Sequence, residues 1–293
     1  MPQTFNVKMV DDAREALRGV VKETPLIFNR GLSERYGAKV YLKREDLQVV
    51  RSYKLRGAYN RMRYLTPAEK KRGIVCASAG NHAQGVAFSC AALKVHGTIF
   101  MPKNTPRQKI DRVQALGGKW ATIELVGDAY DDAYKAAREM TEKRRMTFVH
   151  PFNDPLIIAG QGTVGAEILE QLKKPIDYLI VAIGGGGLMS GTGSYFKVKS
   201  PKTKVIGVEP TGAPAMYESL KAGKTVTLEK IDTFVDGAAV KTVGDLTLSI
   251  VKKVADKVLL VPEGKVCQEM ITLYQRDGIV AEPAGALSIA ALD

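Results

Sequence analysis

The chain has 293 residues, of which 45% are hydrophobic and 25% are charged, and this is the composition of a globular protein with one large domain or two. The formal net charge of +12 raises the question of nucleic-acid binding. The basic residues are spread along the chain, however, and the densest runs, at 70–72 and 143–145, are short. We therefore expect no nucleic-acid partner. No apolar run is long enough to span a bilayer, so we expect no membrane partner either.

The N-terminus and the cysteines predict a cytoplasmic protein. Residues 1–6 lack the basic region and apolar core of a secretory signal. The three cysteines (Cys76, Cys90 and Cys267) are odd in number, far apart and without metal-binding or disulfide spacing. This pattern indicates reduced, buried thiols.

Strand and helix patterns alternate along most of the chain. The pattern predicts helices over 8–22, 106–116, 131–143, 163–172 and 264–275. It also predicts one helix that ends near Leu93 and another that begins after residue 187. It predicts strands over 39–43, 74–77, 97–101, 121–126, 178–183, 204–208 and 258–261, and a turn at 160–162. Such alternation is typical of an α/β fold with parallel sheet. No linker marks a boundary, so any two domains must be interwoven.

Lys54 begins a short amphipathic helix. Leu55, Ala58, Tyr59 and Met62 follow it at the spacing of one buried helical stripe. A lysine at a helix N-terminus lies at the positive end of the dipole, which favours the neutral amine, and only a neutral amine attacks a carbonyl. A surface lysine is the commoner explanation for any one of the 43 basic residues. The candidate role therefore depends on two further stretches.

Four consecutive glycines follow the apolar strand 178–183. Gly184, Gly185, Gly186 and Gly187 precede a helix, so backbone amides at its N-terminus can hold an anion. The register fits neither the dinucleotide fingerprint nor the nucleoside-triphosphate loop. A single phosphate fits.

A second strand–turn–helix follows residues 74–77. Its turn, Ser78-Ala79-Gly80-Asn81-His82, offers hydroxyl and amide groups beside a helix N-terminus, which suits a carboxylate. His96 and His150 show no partner pattern and are expected to be structural. A reactive lysine, a phosphate cradle and a carboxylate-binding turn together predict pyridoxal phosphate acting on an amino acid.

The sequence resembles the threonine deaminases, members of the fold-type II pyridoxal-phosphate enzymes. The matching stretches lie in family order along nearly the whole chain: KREDLQ (43–48), RSYKLRGA (51–58), SAGNHAQG (78–85), AGQGT (159–163), GGGGL (184–188), VDGAAV (235–240) and EPAGA (282–286). The segment 261–292 is similar to the biosynthetic, isoleucine-pathway branch. The resemblance implies two interwoven, open, twisted parallel-sheet domains flanked by helices. The large cofactor-binding domain would comprise 1–47 and 150–293, and the small domain 48–149 would carry the lysine and the carboxylate turn.

The resemblance also implies roles for individual residues. Lys54 matches the lysine that forms the Schiff base with the cofactor, and Asn81 matches the ligand of its phenolic oxygen. Gly184 to Gly187 and Leu188 match the phosphate loop, and the turn Ser78 to His82 matches the substrate-carboxylate site. Threonine would lose its Cα proton to the freed lysine and then its β-hydroxyl, giving 2-oxobutanoate and ammonia, and serine would give pyruvate. A homodimer or homotetramer is the family expectation.

Three departures from the family pattern qualify these expectations. Serine racemase has a second serine where this chain has Ala79, so elimination is favoured over racemisation. The related metal pattern has an aspartate a few residues after Glu209, whereas 214–216 offer no carboxylate, so no metal is expected. The family normally continues beyond Asp293 to a Ser-Gly-Gly-Asn-type turn. A truncated chain is therefore expected, and its activity and its feedback regulation by isoleucine are left open.

Several alternatives stay open at this stage. A serine dehydratase, a serine racemase or a threonine synthase could use the same scaffold. A catalytically silent binding domain is the alternative from another class, although the intact Lys54 and glycine loop speak against it. A nucleic-acid binder is the third.

Overall fold

The computed structural model of the chain describes residues 4–293, and within that part it contains thirteen α-helices and nine strands. The helices are α1 (Lys8–Leu17), α2 (Arg30–Tyr36), α3 (Lys54–Arg63), α4 (Pro67–Arg72), α5 (Asn81–Leu93), α6 (Arg107–Gly117), α7 (Tyr130–Arg144), α8 (Pro155–Leu172), α9 (Gly187–Lys199), α10 (Ala215–Ala222), α11 (Asp245–Val254), α12 (Glu263–Asp277) and α13 (Pro283–Ala290). The strands are β1 (Leu26–Phe28), β2 (Tyr41–Lys43), β3 (Ile74–Ala77), β4 (Gly97–Met101), β5 (Ala121–Leu125), β6 (Thr147–Phe148), β7 (Tyr178–Ala182), β8 (Lys204–Pro210) and β9 (Lys257–Val261).

Two parallel sheets organise the molecule, as the alternation of strands and helices predicts. The first has the strand order β5-β4-β3-β6, and the second the order β7-β8-β9. All four residues of β3 are buried, as expected for a strand covered on both faces. An antiparallel pair, β1 and β2, stands apart from both sheets. The predicted α/β class is therefore confirmed.

Helix α8 joins the two hydrophobic cores. Its N-terminal half contributes Ile157 to the core around the four-stranded sheet. Its C-terminal half contributes Val164 and Ile168 to the core under the three-stranded sheet. Because one helix packs into both cores, the two sheets are held together by a continuous element.

Helix α3 begins at Lys54, as the sequence indicates. Leu55, Ala58 and Met62 are completely buried, and Tyr59 is half-buried, so the predicted stripe faces the interior. The strands at 74–77 and 97–101 also lie where the pattern places them.

Some predicted boundaries are wrong. The first helix ends at Leu17 instead of residue 22, because the chain turns at Gly19 with a left-handed φ of 72°. The second strand begins at Tyr41 rather than residue 39. The turn expected at 160–162 does not exist, since these residues lie inside α8. Asp154 caps that helix and Pro155 is its first residue, so it begins well before Thr163.

The cysteine prediction is right for two residues and wrong for the third. Cys76 and Cys90 are completely buried, and burial raises the pKa of both thiols, that of Cys90 to about 12. Cys267 is exposed on α12, because it lies on the face of that helix that points away from the core. Within residues 4–293, none of the helices combines the length and the apolar character that a bilayer crossing requires.

Candidate active site

Lys54 is half-buried at the first position of α3. Its Nζ donates a hydrogen bond of 3.3 Å to the carbonyl oxygen of Pro151 and stands 5.6 Å from the ring centroid of Tyr53. Burial lowers the pKa of Lys54 to about 8, against the opposing effect of the negative charge of Glu282. A large part of this amine is therefore unprotonated in mildly alkaline solution, as a nucleophilic lysine requires.

The predicted carboxylate turn connects β3 to α5, with Gly80 at the N-cap position. The Oγ of Ser78 accepts a hydrogen bond of 3.2 Å from the Gly80 amide, which holds the turn closed. The amide nitrogen of Asn81 donates to both carboxylate oxygens of Glu282, at 2.7 and 2.9 Å. Ala79 is half-buried and adds no polar group.

Two neutral imidazoles lie near the lysine. His82 is buried, and its Nε2 forms a 2.9 Å hydrogen bond with the carbonyl oxygen of Val149. Burial, followed by the charge of Lys54, lowers the pKa of His82 to about 3 and that of His150 to about 4. Both histidines are therefore uncharged at neutral pH and do not act as general acids. The expectation that His150 is structural agrees with its role as acceptor from the amides of Phe152 and Asn153.

The glycine loop connects β7 to α9. Gly186 has a left-handed φ of 89°, which favours glycine. The Oγ1 of Thr247 donates a 2.7 Å hydrogen bond to the carbonyl oxygen of Gly185 and fixes the loop against α11. The first i to i−4 bond of the helix runs from the Ser190 amide to the Gly186 carbonyl, so the amides of Gly187, Leu188 and Met189 precede it. Such amides form an anion site.

The three predicted stretches converge on one short segment, residues 149–152. Lys54 donates to Pro151, His82 at the end of the carboxylate turn bonds to Val149, and Phe152 packs so closely on the glycine loop that a methyl group at Gly185 would overlap its ring. The amine, the carboxylate turn and the anion loop, which are far apart in sequence, therefore surround one site.

Sequence reasoning did not assign a role to Glu282 or to the segment 149–152. Glu282 stands in the N-cap position of α13, 201 residues after Asn81, so no local pattern connects the two. The one available signal was the occurrence of Glu282 in the EPAGA stretch. Asp236, from the VDGAAV stretch, forms an ion pair of 2.6 Å with Lys109, and both charges lie near Glu282.

The residues present fit pyridoxal phosphate. An amine with a lowered pKa can bond to its aldehyde, a loop of free helix-end amides can bind its phosphate, and the Asn81 amide can donate to an anionic ring oxygen. No group of three or more potential metal ligands occurs within residues 4–293. Glu209, at the position discussed for a metal, is fully buried and accepts the amides of Met216 and Tyr217 at 2.8 and 2.7 Å.

Comparison with known proteins agrees with this arrangement. Residues 17–293 match the family described as pyridoxal-phosphate dependent enzymes, and the chain belongs to that family. It is 57% identical over 281 residues to the biosynthetic L-threonine dehydratase IlvA of Halalkalibacterium halodurans, a match that covers 96% of this chain and 68% of the relative.

Two solved structures extend the comparison. The processed form of threonine deaminase isoform 2 from Solanum lycopersicum is 41% identical, with a TM-score of 0.92 over 99% of this chain and 85% of that one. Maize serine racemase is 30% identical, with a TM-score of 0.94 over 99% of this chain and 86% of that one. The fold-type II resemblance and the pyridoxal-phosphate cofactor are therefore confirmed.

Proposed function

We propose that the protein deaminates L-threonine to 2-oxobutanoate and ammonia, the first step of isoleucine biosynthesis, and that it also acts on L-serine. The convergence of Lys54, the carboxylate turn and the glycine loop on residues 149–152 carries this proposal. The high identity to relatives named biosynthetic L-threonine dehydratase supports the choice of substrate.

The proposal gives each group a task. Lys54 bonds to the cofactor aldehyde, and the amides of Gly184 to Gly187 and Leu188 hold the cofactor phosphate. Asn81 donates to the phenolic oxygen. The turn Ser78, Ala79, Gly80, Asn81 and His82 binds the substrate carboxylate, with backbone amides at the start of α5 as the donors.

The chemistry divides between the cofactor and the chain. When bound, pyridoxal phosphate supplies an electron sink for the electrons of the Cα–H bond. Lys54 Nζ, freed as a neutral amine, takes the Cα proton, and its lowered pKa keeps that amine available. His82 and His150 stay uncharged at neutral pH, so neither competes with Lys54 as an acid.

We also propose how the chain divides into domains and how it assembles. The small domain comprises 48–149, with the four-stranded sheet, and the large domain comprises 1–47 and 150–293, with the three-stranded sheet. The active species is a cytoplasmic homodimer or homotetramer that has no nucleic-acid partner. Light scattering tests the assembly, and a gel shift at low salt tests the absence of nucleic-acid binding.

A visible absorption spectrum with pyridoxal phosphate, recorded before and after addition of L-threonine, tests the function. We expect a band from lysine-bound cofactor that shifts with threonine while a 2-oxo acid accumulates. The variant Lys54→Ala, with Lys71→Ala as the matched surface control, should lose the band. A band that persists in Lys54→Ala and is still reduced by borohydride would assign the cofactor to another lysine.

Serine racemisation is the second candidate, because the maize racemase shares the fold closely. Ala79 speaks against it, since a methyl group cannot carry a proton to the opposite face of Cα. We expect pyruvate and no D-serine from L-serine. Formation of D-serine at a rate comparable to that of pyruvate would reverse the assignment.

A further inference from the structure

Helix α8 lies between the two helices that carry the ends of the proposed cofactor site. On one side it packs against α3, which begins with Lys54, and on the other against α9, which begins at the glycine loop. The distance between the lysine and the loop therefore depends on how closely α3 and α9 approach α8.

The contact between α3 and α8 is a contact of backbones. A methyl group added at Gly160 would lie 2.5 Å from the carbonyl oxygen of Arg56 and 2.6 Å from the Cα of Gly57. One added at Gly57 would lie 2.9 Å from the carbonyl oxygen of Ile157. Ordinary contacts between such atoms are about 3.5–4.0 Å, so neither position has room for a side chain.

The contact between α8 and α9 is equally close. A methyl group at Gly191 would overlap the carbonyl oxygen of Ile158 and lie 2.6 Å from the amide nitrogen of Gly162. One at Gly162 would lie 3.1 Å from the carbonyl oxygen of Gly191. A glycine in a helix interior is less favourable than an alanine, so the close approach of the backbones offsets a local cost.

A buried arginine fixes α3 on α8 in one register. The Arg56 side chain is completely buried, and its guanidinium donates to both carboxylate oxygens of Glu167, at 2.5 and 2.9 Å, and to Thr163 at 3.1 Å. It also pairs with Glu45 at 2.8 Å. Paired contacts of this kind fix direction as well as distance.

We propose that α8 is a spacer whose thickness, set by Gly160 against Gly57 and by Gly162 against Gly191, matches the separation of Lys54 Nζ from the phosphate loop to the length of one cofactor molecule. These glycines and Arg56 are positioning residues, since none of them touches the reacting atoms. The inference rests on the proposed function, because it takes Lys54 and the loop as the two ends of the site.

The test separates binding of the phosphate from bonding to the lysine. Pyridoxine 5′-phosphate carries the phosphate but has a hydroxymethyl group in place of the aldehyde, so it cannot condense with Lys54. In Gly160→Ala the added methyl pushes α3 away by roughly 1 Å, and a misplacement of that size can cost about 100-fold. We expect the affinity for pyridoxal phosphate to fall at least 10-fold, with that for pyridoxine 5′-phosphate within about 2-fold of wild type.

Gly264→Ala, inside α12, is the control for adding a methyl group to a helical glycine. Nothing lies within 4 Å of a methyl group there, so both affinities should stay within about 2-fold of wild type. If Gly160→Ala does not fold, Arg56→Lys replaces it, because that change loosens the register without adding atoms. We expect the same separation of the two affinities, with a smaller loss.

Two outcomes would contradict the proposal that α8 is a spacer. Equal losses for both ligands would show a merely structural role, and unchanged affinity for both would show that the separation is set elsewhere. Failure of the proposed function has a different signature, since wild type itself would then form no visible band with pyridoxal phosphate.

Discussion

The half-buried amine of Lys54 should destabilise the cofactor-free protein at neutral pH, because burial disfavours its charged form. Its pKa is about 8 in the fold and ordinarily 10.5, so between those values the unfolded chain binds a proton that the folded chain does not, and stability rises with pH. Below pH 8 the folded and unfolded chains both bind the proton, so the full free-energy cost of burying the charged amine is present. At 1.36 kcal/mol per pKa unit, discounted because the side chain is partly exposed, it is on the order of 2 kcal/mol.

Lys54→Met should therefore raise the free energy of unfolding of the cofactor-free protein at pH 7 by about 2 kcal/mol, and the gain should shrink as the pH rises through 8 towards 10.5. Urea unfolding at pH 7 and pH 10 measures both values, with Lys71→Met as the exposed control. A gain that is equal at the two pH values would mean that the apolar side chain, and not the lost charge, is responsible.

Asn81 should matter for turnover more than for folding. Its amide nitrogen donates to the Glu282 carboxylate from a half-buried position, so Asn81→Ala should cost no more than about 1 kcal/mol of stability. We expect kcat/KM for threonine to fall at least 10-fold, as expected for a lost contact to the reacting system. Asn104→Ala, which removes an exposed hydrogen bond to Asp128, is the control. Unchanged turnover would remove Asn81 from the site.

At the scale of single residues, the sequence indicates the groups that lie in continuous motifs. Lys54, the turn at 78–82 and the glycines at 184–187 each stand at the end of a strand or the start of a helix, where local pattern is informative. The pairing of Asn81 with Glu282 was not predictable in this way. The two residues are 201 positions apart, and their meeting depends on how α13 packs against the rest of the chain.

At the scale of elements, α8 shows how tertiary packing overrides local preference. Gly160 and Gly162 weaken a helix when considered alone, and a turn is the local interpretation. The neighbouring backbones of α3 and α9 need that absence of side chains, and the helix runs through both residues. A sequence pattern carries no information about what lies on either side of a helix, so the length of α8 was underestimated by eight residues, from Pro155 to Gly162.

The cap at the N-terminus of α8 should be more sensitive to substitution than an exposed helix cap. Asp154 accepts the amides of Leu156 and Ile157 and forms an ion pair of 2.9 Å with the buried Arg61. Asp154→Ala removes the cap and leaves that arginine without its carboxylate, so we expect a loss of about 2–4 kcal/mol in unfolding free energy.

Thr66→Ala supplies the comparison for this cap. It removes the capping box of the exposed helix α4 and should cost about 1 kcal/mol. Chemical denaturation of both variants gives the difference. Equal losses would mean that the Arg61 pair contributes nothing beyond the cap.

At the scale of the whole molecule, the Arg56 cluster connects segments from both proposed domains. Glu45 belongs to the N-terminal part, Arg56 to α3 and Glu167 to α8, and Lys43 donates to the same Glu167 at 2.5 Å. Burial lowers the pKa of Lys43, with Glu167 opposing that effect. Removing one negative charge here leaves two buried cations under-compensated.

Glu167→Gln should therefore cost about 3–5 kcal/mol of unfolding free energy. Glu170→Gln, three residues further along α8, is the matched control, because that carboxylate is half-exposed and pairs with Arg14 at the surface. The control should cost less than about 1 kcal/mol. Similar losses in the two variants would contradict a special role for the buried cluster.

The global architecture was predictable in class but not in arrangement. Regular alternation of apolar strands and amphipathic helices predicts parallel sheets, and both sheets are parallel. Their separation, and the pairing of β6 with β3 instead of β5, depend on crossover connections that the order of elements does not determine. The identity of the family came from motifs, since composition and periodicity are shared by many α/β enzymes.

The uneven burial of the three cysteines leaves one thiol of the folded chain accessible to reagents. Cys76 and Cys90 are enclosed and their thiols stay protonated, whereas Cys267 faces solvent on α12. A maleimide dye should therefore label one position per folded chain and three after denaturation, as intact-mass spectrometry would show. For the same reason, storage without reductant should join chains pairwise through an intermolecular disulfide, and Cys267→Ser should abolish that covalent dimer.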